Sequence, residues 1–251
     1  MLNYELISEW GSIYRNGNKA LKIYSSDDVA YDYVARAARI HSFLCDAGLP
    51  VPAAYGVRKI SETETALEMD YIAAKPFMQE DISREEQEKA LNIMANLQCM
   101  INSVDASGLG LPEFSEIIAE EIKKTVYLTT QIKEKVFDLL SRLDTKKTNL
   151  CHGDIHRHNI LYDGEKHWVI DWESASIGDP AADACMTYFY QRRASPQFAD
   201  IYLRSYCKTS GVNPAEILAW EPVIAAYQVN IDTEDEREFI LNIINEWYES
   251  N

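Results

Sequence analysis

"TNLCHGDIHRHNILYDGEKHWVIDWESASIGDP", residues 148–180, holds four of the chain's five histidines, three of them crowded around Asp154 and Asn159, with Asp171 further on. Its apolar residues fall in short blocks. "NLC" and "NILYD" read as short strands flanking a polar loop, and "HWVIDW" as a further strand joined to the second through a turn at Asp163-Gly164. That reading sets Asp154 and Asn159 on a loop anchored by hydrophobic residues on both sides, with Asp171 at a strand end close by.

Two chemistries compete for such a loop. A carboxylate accompanied by two more oxygen ligands suits phosphoryl transfer, which needs a group to orient the attacking hydroxyl and hard oxygen donors for Mg2+. His152, His156 and His158 offer a zinc reading instead. Their spacing argues against it, because the only nearby cysteine is Cys151, inside an expected strand. His152 is expected to pack under the loop and fix its backbone by hydrogen bonds.

Outward from this stretch the chain changes texture once. The first seventy residues are strand-rich, with strands expected near 4–9, 12–15 and 19–24 around a hairpin signal at Asn16-Gly17. "SSDD" at 25–28 supplies N-cap candidates for a helix running to about Asp46. "GLPVP" at 48–52 ends that helix, and strands at 53–59 and 64–71 follow. Beyond residue 72 apolar residues recur at helical spacing, as in Ala90, Leu91, Met94, Leu97, Met100 and Ile101. Helices are expected over 83–103, 113–127, 131–143, 180–193, 196–209, 214–230 and 233–249. The expected fold class is α+β and bilobal. A small N-terminal lobe with an antiparallel sheet (1–72) precedes a larger, mostly helical C-terminal lobe (73–251).

Composition narrows the partners. The 251 residues carry 47% hydrophobic and 25% charged side chains, ordinary for a soluble globular protein. No apolar run approaches the roughly 18 residues of a membrane helix, and the first residues lack a secretory pattern. Five cysteines without a CxxC pair suit free thiols in a reducing cytoplasm. A net charge of −16 disfavours nucleic acid and anionic membranes and attracts cations.

His152-Gly153-Asp154, then Asn159, then Ile170-Asp171-Trp172-Glu173 resembles the signature of the aminoglycoside phosphotransferase/choline kinase-like family, whose fold is protein-kinase-like. "GDPAADACMTY" at 178–188, "GLPVP" and the hinge-like "ALEMDYI" at 66–72 extend the likeness over nearly the whole chain. The resemblance implies an ATP-dependent, Mg2+-requiring kinase that phosphorylates a hydroxyl of a small molecule. It makes Asp154 the catalytic base, and Asn159 and Asp171 the Mg2+ ligands. Lys22 in "ALKIY" would bind ATP phosphates beneath a turn at Gly11-Ser12. The carbonyl of Asp70 and the amide of Ile72 would face adenine. Asp183 would brace the catalytic loop, as would His152.

The chain departs from that family in two places. Arg157 and His158 stand where a proline-glycine pair is common. The first helix lacks the glutamate that orients the lysine, whose expected position falls on Ala37. Asp32, the nearest carboxylate toward the N-terminus, lies five residues earlier and about 140° around the helix. Either the register differs, another acid substitutes, or Lys22 is held less firmly. A catalytically weak or inactive kinase-like protein that binds a nucleotide or a partner is therefore the alternative function. Glu221, Asp232, Glu234, Asp235, Glu236 and Glu238 form either a solvated acidic face or an amine-binding wall for a cationic acceptor.

Overall fold

The computed structural model describes residues 5–8, 12–25, 31–77, 83–230 and 233–250. Two compact units emerge, Met1–Gln79 with Arg157–Glu173, and Glu80–His156 with Ser174–Asn251. The division read near residue 72 is thus not a single cut, since a seventeen-residue piece of the histidine-rich stretch folds with the first unit.

The first unit is built on an antiparallel sheet of five strands: β1 (Glu5–Ser8), β2 (Ile13–Asn16), β3 (Lys19–Ser25), β4 (Ala54–Lys59) and β5 (Glu64–Asp70), in the order β1-β2-β3-β5-β4. The β2–β3 register pairs Asn16 with Lys19, so Gly17-Asn18 forms the loop and Gly17 takes φ 63°, which only glycine adopts freely. Helix α1 (Tyr31–Asp46) packs on β4 and β5. Of the "SSDD" cap candidates, Ser25 ends β3 and residues 26–28 lie outside the described residues. The helix ends as expected at Gly48, where φ is 75° and the Leu49 amide reaches back to the Leu44 carbonyl.

Strand periodicity does the placing here. Ala20, Lys22 and Tyr24 share one face of β3, because side chains alternate. Ala20 and Tyr24 join Val34, Ala37, Leu67 and Met69 in the core. Lys22 is thereby drawn beneath the sheet. A second, three-stranded sheet orders β6 (Lys75–Pro76), β8 (Ile160–Tyr162) and β9 (His167–Val169) as β6-β8-β9, and Val169 N bonds Pro50 O at 2.8 Å. The β8–β9 pairing follows the sequence reading; β6, two residues long, carries no periodic signal.

The second unit is mostly helical. Helices α2 (Arg84–Asn102), α3 (Phe114–Lys124) and α4 (Thr130–Leu143) precede the histidine-rich stretch. After it come α5 (Pro180–Ala194), α6 (Pro196–Ser210), α7 (Pro214–Leu218), α8 (Glu221–Gln228) and α9 (Glu234–Ser250). Helix α2 opens on a reciprocal capping box between Ser83 and Glu86. The expected helix 214–230 is two helices instead. Pro222 has no N–H to offer the Leu218 carbonyl, so the chain turns at Ala219-Trp220 and restarts. The strand β7 (Asn149–Cys151) pairs with β10 (Ser176–Gly178), three residues that no sequence pattern marked. Gly178 at the end of β10 lets α3 pack close, since a Cβ there would stand 2.9 Å from the Phe114 Cβ. Among the described residues no helix is long and apolar enough to cross a membrane.

Candidate active site

In the first unit a pocket opens beneath the sheet. Ile13, Ala20, Leu67, Met69, Leu161 and Ile170 give it apolar walls, Asp70, Tyr71 and Ile72 line it too, and Lys22, Asp171 and Glu173 bring charge. Of the two sequence-predicted turn residues, Ser12 is described: it holds φ 46°, and its carbonyl accepts from Ile23 N at 3.1 Å. Gly11 lies outside the described residues. Asp70 and Ile72 line the pocket. The Asp70 carboxylate is already engaged by Ala53 N and the Tyr55 hydroxyl, which leaves backbone groups for recognition.

The charged end is tightly organised. Lys22 Nζ lies 2.8 Å from Asp171 Oδ1 and 2.5 Å from Glu173 Oε1. Burial works to lower the Lys22 pKa, but the two carboxylates outweigh it and hold the ammonium above its ordinary value. One lysine cannot fully offset two acids. Burial and the neighbouring Asp171 accordingly raise the Glu173 pKa. The Tyr24 hydroxyl donates to Glu173 Oε1 and the Tyr33 hydroxyl to the Glu173 carbonyl at 3.3 Å. Burial, then Glu173, keeps the Tyr24 phenol protonated.

Asp171 takes φ 69°. A non-glycine residue holds this left-handed conformation at a cost of about 1–2 kcal/mol, and such strain clusters at functional positions. Asn159 is buried, and its carbonyl accepts from Ile170 N at 3.0 Å, tying the end of the loop to the segment that carries Asp171. Arg157 and His158, on the same loop, contact each other through Nε and Nε2 at 3.1 Å.

The second unit holds the other half of the predicted set. The loop leaves β7 through His152, which is fully buried and whose Nδ1 accepts from Asp154 N at 3.3 Å. Gly153 sits at φ 78°, and a Cβ on it would stand 2.8 Å from the Ser174 carbonyl oxygen. Asp183, fully buried at the start of α5, takes Gly153 N at 2.7 Å on one carboxylate oxygen. On the other it takes His152 N, Gln98 Nε2 and Asn102 Nδ2 at 3.3, 3.0 and 2.8 Å. Tyr202 and Tyr206 in turn bond Gln98 and Asn102. The backbone beside Asp154 is therefore pinned by a closed buried network, the arrangement in which polar groups rigidify a site.

Sequence reasoning missed two residues. Tyr190 lies two turns beyond Asp183 on the same face of α5. It hydrogen-bonds Asp154, and burial together with that carboxylate raises its pKa, so the hydroxyl donates. His156 Nε2 lies 3.4 Å from Asp154 Oδ2, and its ring meets Tyr190 edge-on. A tyrosine on a buried helix has no sequence signal that separates it from core. Glu173 is the other. Its signal was present in "DWE", but its distance of 151 positions from Lys22 hid the pairing.

The acidic run divides. Glu221 pairs with Arg192 and Glu236 with Arg193, while Glu234, Asp235 and Glu238 are exposed. Asp232 lies outside the described residues.

The first unit thus holds a pocket with a lysine and paired acids, and the second a braced loop that carries Asp154. The family model described as the phosphotransferase enzyme family matches residues 12–220, and the chain belongs to that family. Among solved structures, choline kinase LicA from Streptococcus pneumoniae matches at TM-score 0.68 and 17% identity, over 100% of this chain and 95% of that one. An aminoglycoside phosphotransferase from Streptomyces rimosus, in complex with ADP and streptomycin, matches at TM-score 0.65 and 15% identity, over 89% and 93%. At such identities the likeness establishes the fold, which is that of the aminoglycoside and choline kinases. Acyl-CoA dehydrogenase family member 10 of Mus musculus is 24% identical over 221 residues, 73% of this chain and 21% of that protein. Protein LicA of Haemophilus influenzae is 33% identical over 57 residues, 23% of this chain and 21% of that protein. The chain thus spans about a fifth of the length of these curated relatives.

Proposed function

We propose that the protein transfers the γ-phosphate of ATP to a hydroxyl of a small molecule. The observation that carries this reading is the pocket of the first unit, apolar along its walls and cationic at Lys22 beside Asp171. An adenine ring suits the apolar walls, with the Asp70 carbonyl and Ile72 amide as its polar contacts. Phosphates suit Lys22. Ser12, with the neighbouring Gly11, would cover them.

Asn159 and Asp171 offer the hard oxygen donors that Mg2+ favours, and the strained backbone at Asp171 fits a residue held for ligation. Bound magnesium supplies positive charge against the phosphates. Asp154 orients the acceptor hydroxyl and accepts its proton as the oxygen attacks phosphorus in line. Tyr190 and His156 hold that carboxylate, and Asp183 and His152 hold its backbone. The free cysteines suit a reducing cytoplasm.

A cationic acceptor is favoured by the net charge of −16. Arg192 and Arg193 weaken that argument by neutralising Glu221 and Glu236, which leaves Glu234, Asp235 and Glu238 as the candidate amine wall. The test is ADP release screened over aminoglycosides, choline, ethanolamine, homoserine and sugars, with Asp154→Asn as the blank. Acceptor-dependent release that Asp154→Asn abolishes supports the reading. Release that survives Asp154→Asn would remove the assigned base. Nucleotide binding without release for any acceptor would favour the kinase-like binding protein instead.

A further inference from the structure

The geometry points to Glu173 as the residue that positions Lys22 for the nucleotide, in place of an acid on α1. This inference rests on the kinase reading of the pocket and adds a residue to it. Position 37 cannot supply the acid. Ala37 is 3% exposed and packed among Ala20, Tyr24, Val34, Leu67 and Met69, where a carboxylate would be buried without a partner. Asp32 lies on the exposed side of the same helix.

Glu173 meets every requirement that Ala37 fails. It stands 2.5 Å from the ammonium. Its carboxylate is fixed from outside the pair, since the Tyr24 hydroxyl shares Oε1 with Lys22 and the Tyr33 hydroxyl holds the Glu173 backbone carbonyl. Tyr33 precedes Ala37 by one helical turn on the same face of α1. The helix therefore still reaches the lysine's acid, through a phenol instead of a carboxylate. The edge contact of the Tyr24 and Tyr33 rings, at 6.5 Å, locks the two phenols together.

Asp171 is the less suitable anchor. Its side chain is 42% exposed against 17% for Glu173, and the proposed metal site draws on it. Once Asp171 turns to a metal, Glu173 remains to aim Lys22 at the phosphates. The other oxygen, Oε2, is buried without a hydrogen bond among the described residues, which makes metal ligation the competing role for Glu173.

A double-mutant cycle separates the two roles. The readout is the dissociation constant of Mg·AMP-PNP, by calorimetry, for the wild type, Glu173→Gln, Lys22→Met and the double variant. Glu173→Gln is expected to weaken binding about tenfold when Lys22 is present and less than about twofold in the Lys22→Met background, because contacting residues are energetically coupled. An equal loss in both backgrounds would assign Glu173 to the metal and overturn the inference, and so would wild-type affinity in Glu173→Gln. Should Glu173→Gln fail to fold, Tyr24→Phe, which deletes one hydroxyl from Oε1, decides the matter. It should weaken binding about threefold, and only with Lys22 present. No binding by the wild type at millimolar nucleotide would instead sink the kinase reading itself.

Discussion

Asp154 and Asp171 are both aspartates near one loop, yet their surroundings differ, and the proposed function gives them different work. Asp154 is held by Tyr190 and His156. Asp171 is pressed against Lys22 at a strained backbone. Asp154→Asn should therefore lower kcat by about 10²–10⁴-fold, the usual worth of a positioned base, and leave nucleotide affinity near wild type. Asp171→Asn should weaken Mg·ATP binding. Steady-state kinetics with a turned-over acceptor, alongside calorimetry, distinguishes them, and the same defect in both variants would contradict the assignment. These aspartates and Asn159 stand in one short run whose spacing the sequence displays, while Lys22 and Asp183 entered only through the family resemblance. Glu173 and Tyr190 could be named from neither. Each acts on a residue far away in the chain, and only folding reveals the distance.

At the scale of elements, the short segments around the loop carry the most demanding geometry. Gly153 combines φ 78° with a Ser174 carbonyl oxygen 2.8 Å from where a Cβ would lie. Gly153→Ala would add the left-handed backbone cost of about 1–2 kcal/mol to a clash with a backbone atom that cannot swing aside. A urea melt should show at least that loss, and a wild-type midpoint would mean the loop relaxes freely. The β8–β9 turn offers a pH test. Lys166 N, the Trp168 indole and Glu165 N all donate to the Asp163 carboxylate and bring its pKa down to about 2 from an ordinary 3.8. A depressed carboxylate contributes stability that is fully present above its unfolded pKa and lost as pH falls through the folded one. The stability gap between wild type and Asp163→Ala should therefore be constant above about pH 5 and close between about pH 4 and 2. A gap unchanged at pH 2 would mean the turn's bonds do not depend on the charge. Long periodic helices and the β2–β3 and β8–β9 hairpins were legible in the sequence, since periodicity and turn residues are local. β6 and β10 were not, because two or three residues carry no period and exist only through their partners. The α7–α8 break was written in Pro222, whose effect the apolar pattern around it masked.

For the whole molecule, two units share one histidine-rich stretch, and the chain passes between them at Arg157 and again after Glu173. The proposed chemistry divides the same way: nucleotide-side groups Lys22, Asn159, Asp171 and Glu173 belong to the first unit, and Asp154 with its supports to the second. Charge is a property of this scale too. With −16 overall, a cationic acceptor should bind more weakly as salt is added, while a neutral alcohol of the same size should not respond. A neutral acceptor turned over fastest, without a salt effect, would reduce the acidic helices to a solvated surface. The proposed transfer depends first on nucleotide binding at the pocket of the first unit, which calorimetry of ATP with and without Mg2+ measures. Saturable binding is expected that Mg2+ strengthens, that Lys22→Met and Asp171→Asn weaken, and that Asp154→Asn leaves alone; no heat of binding at millimolar nucleotide would rule the proposed function out.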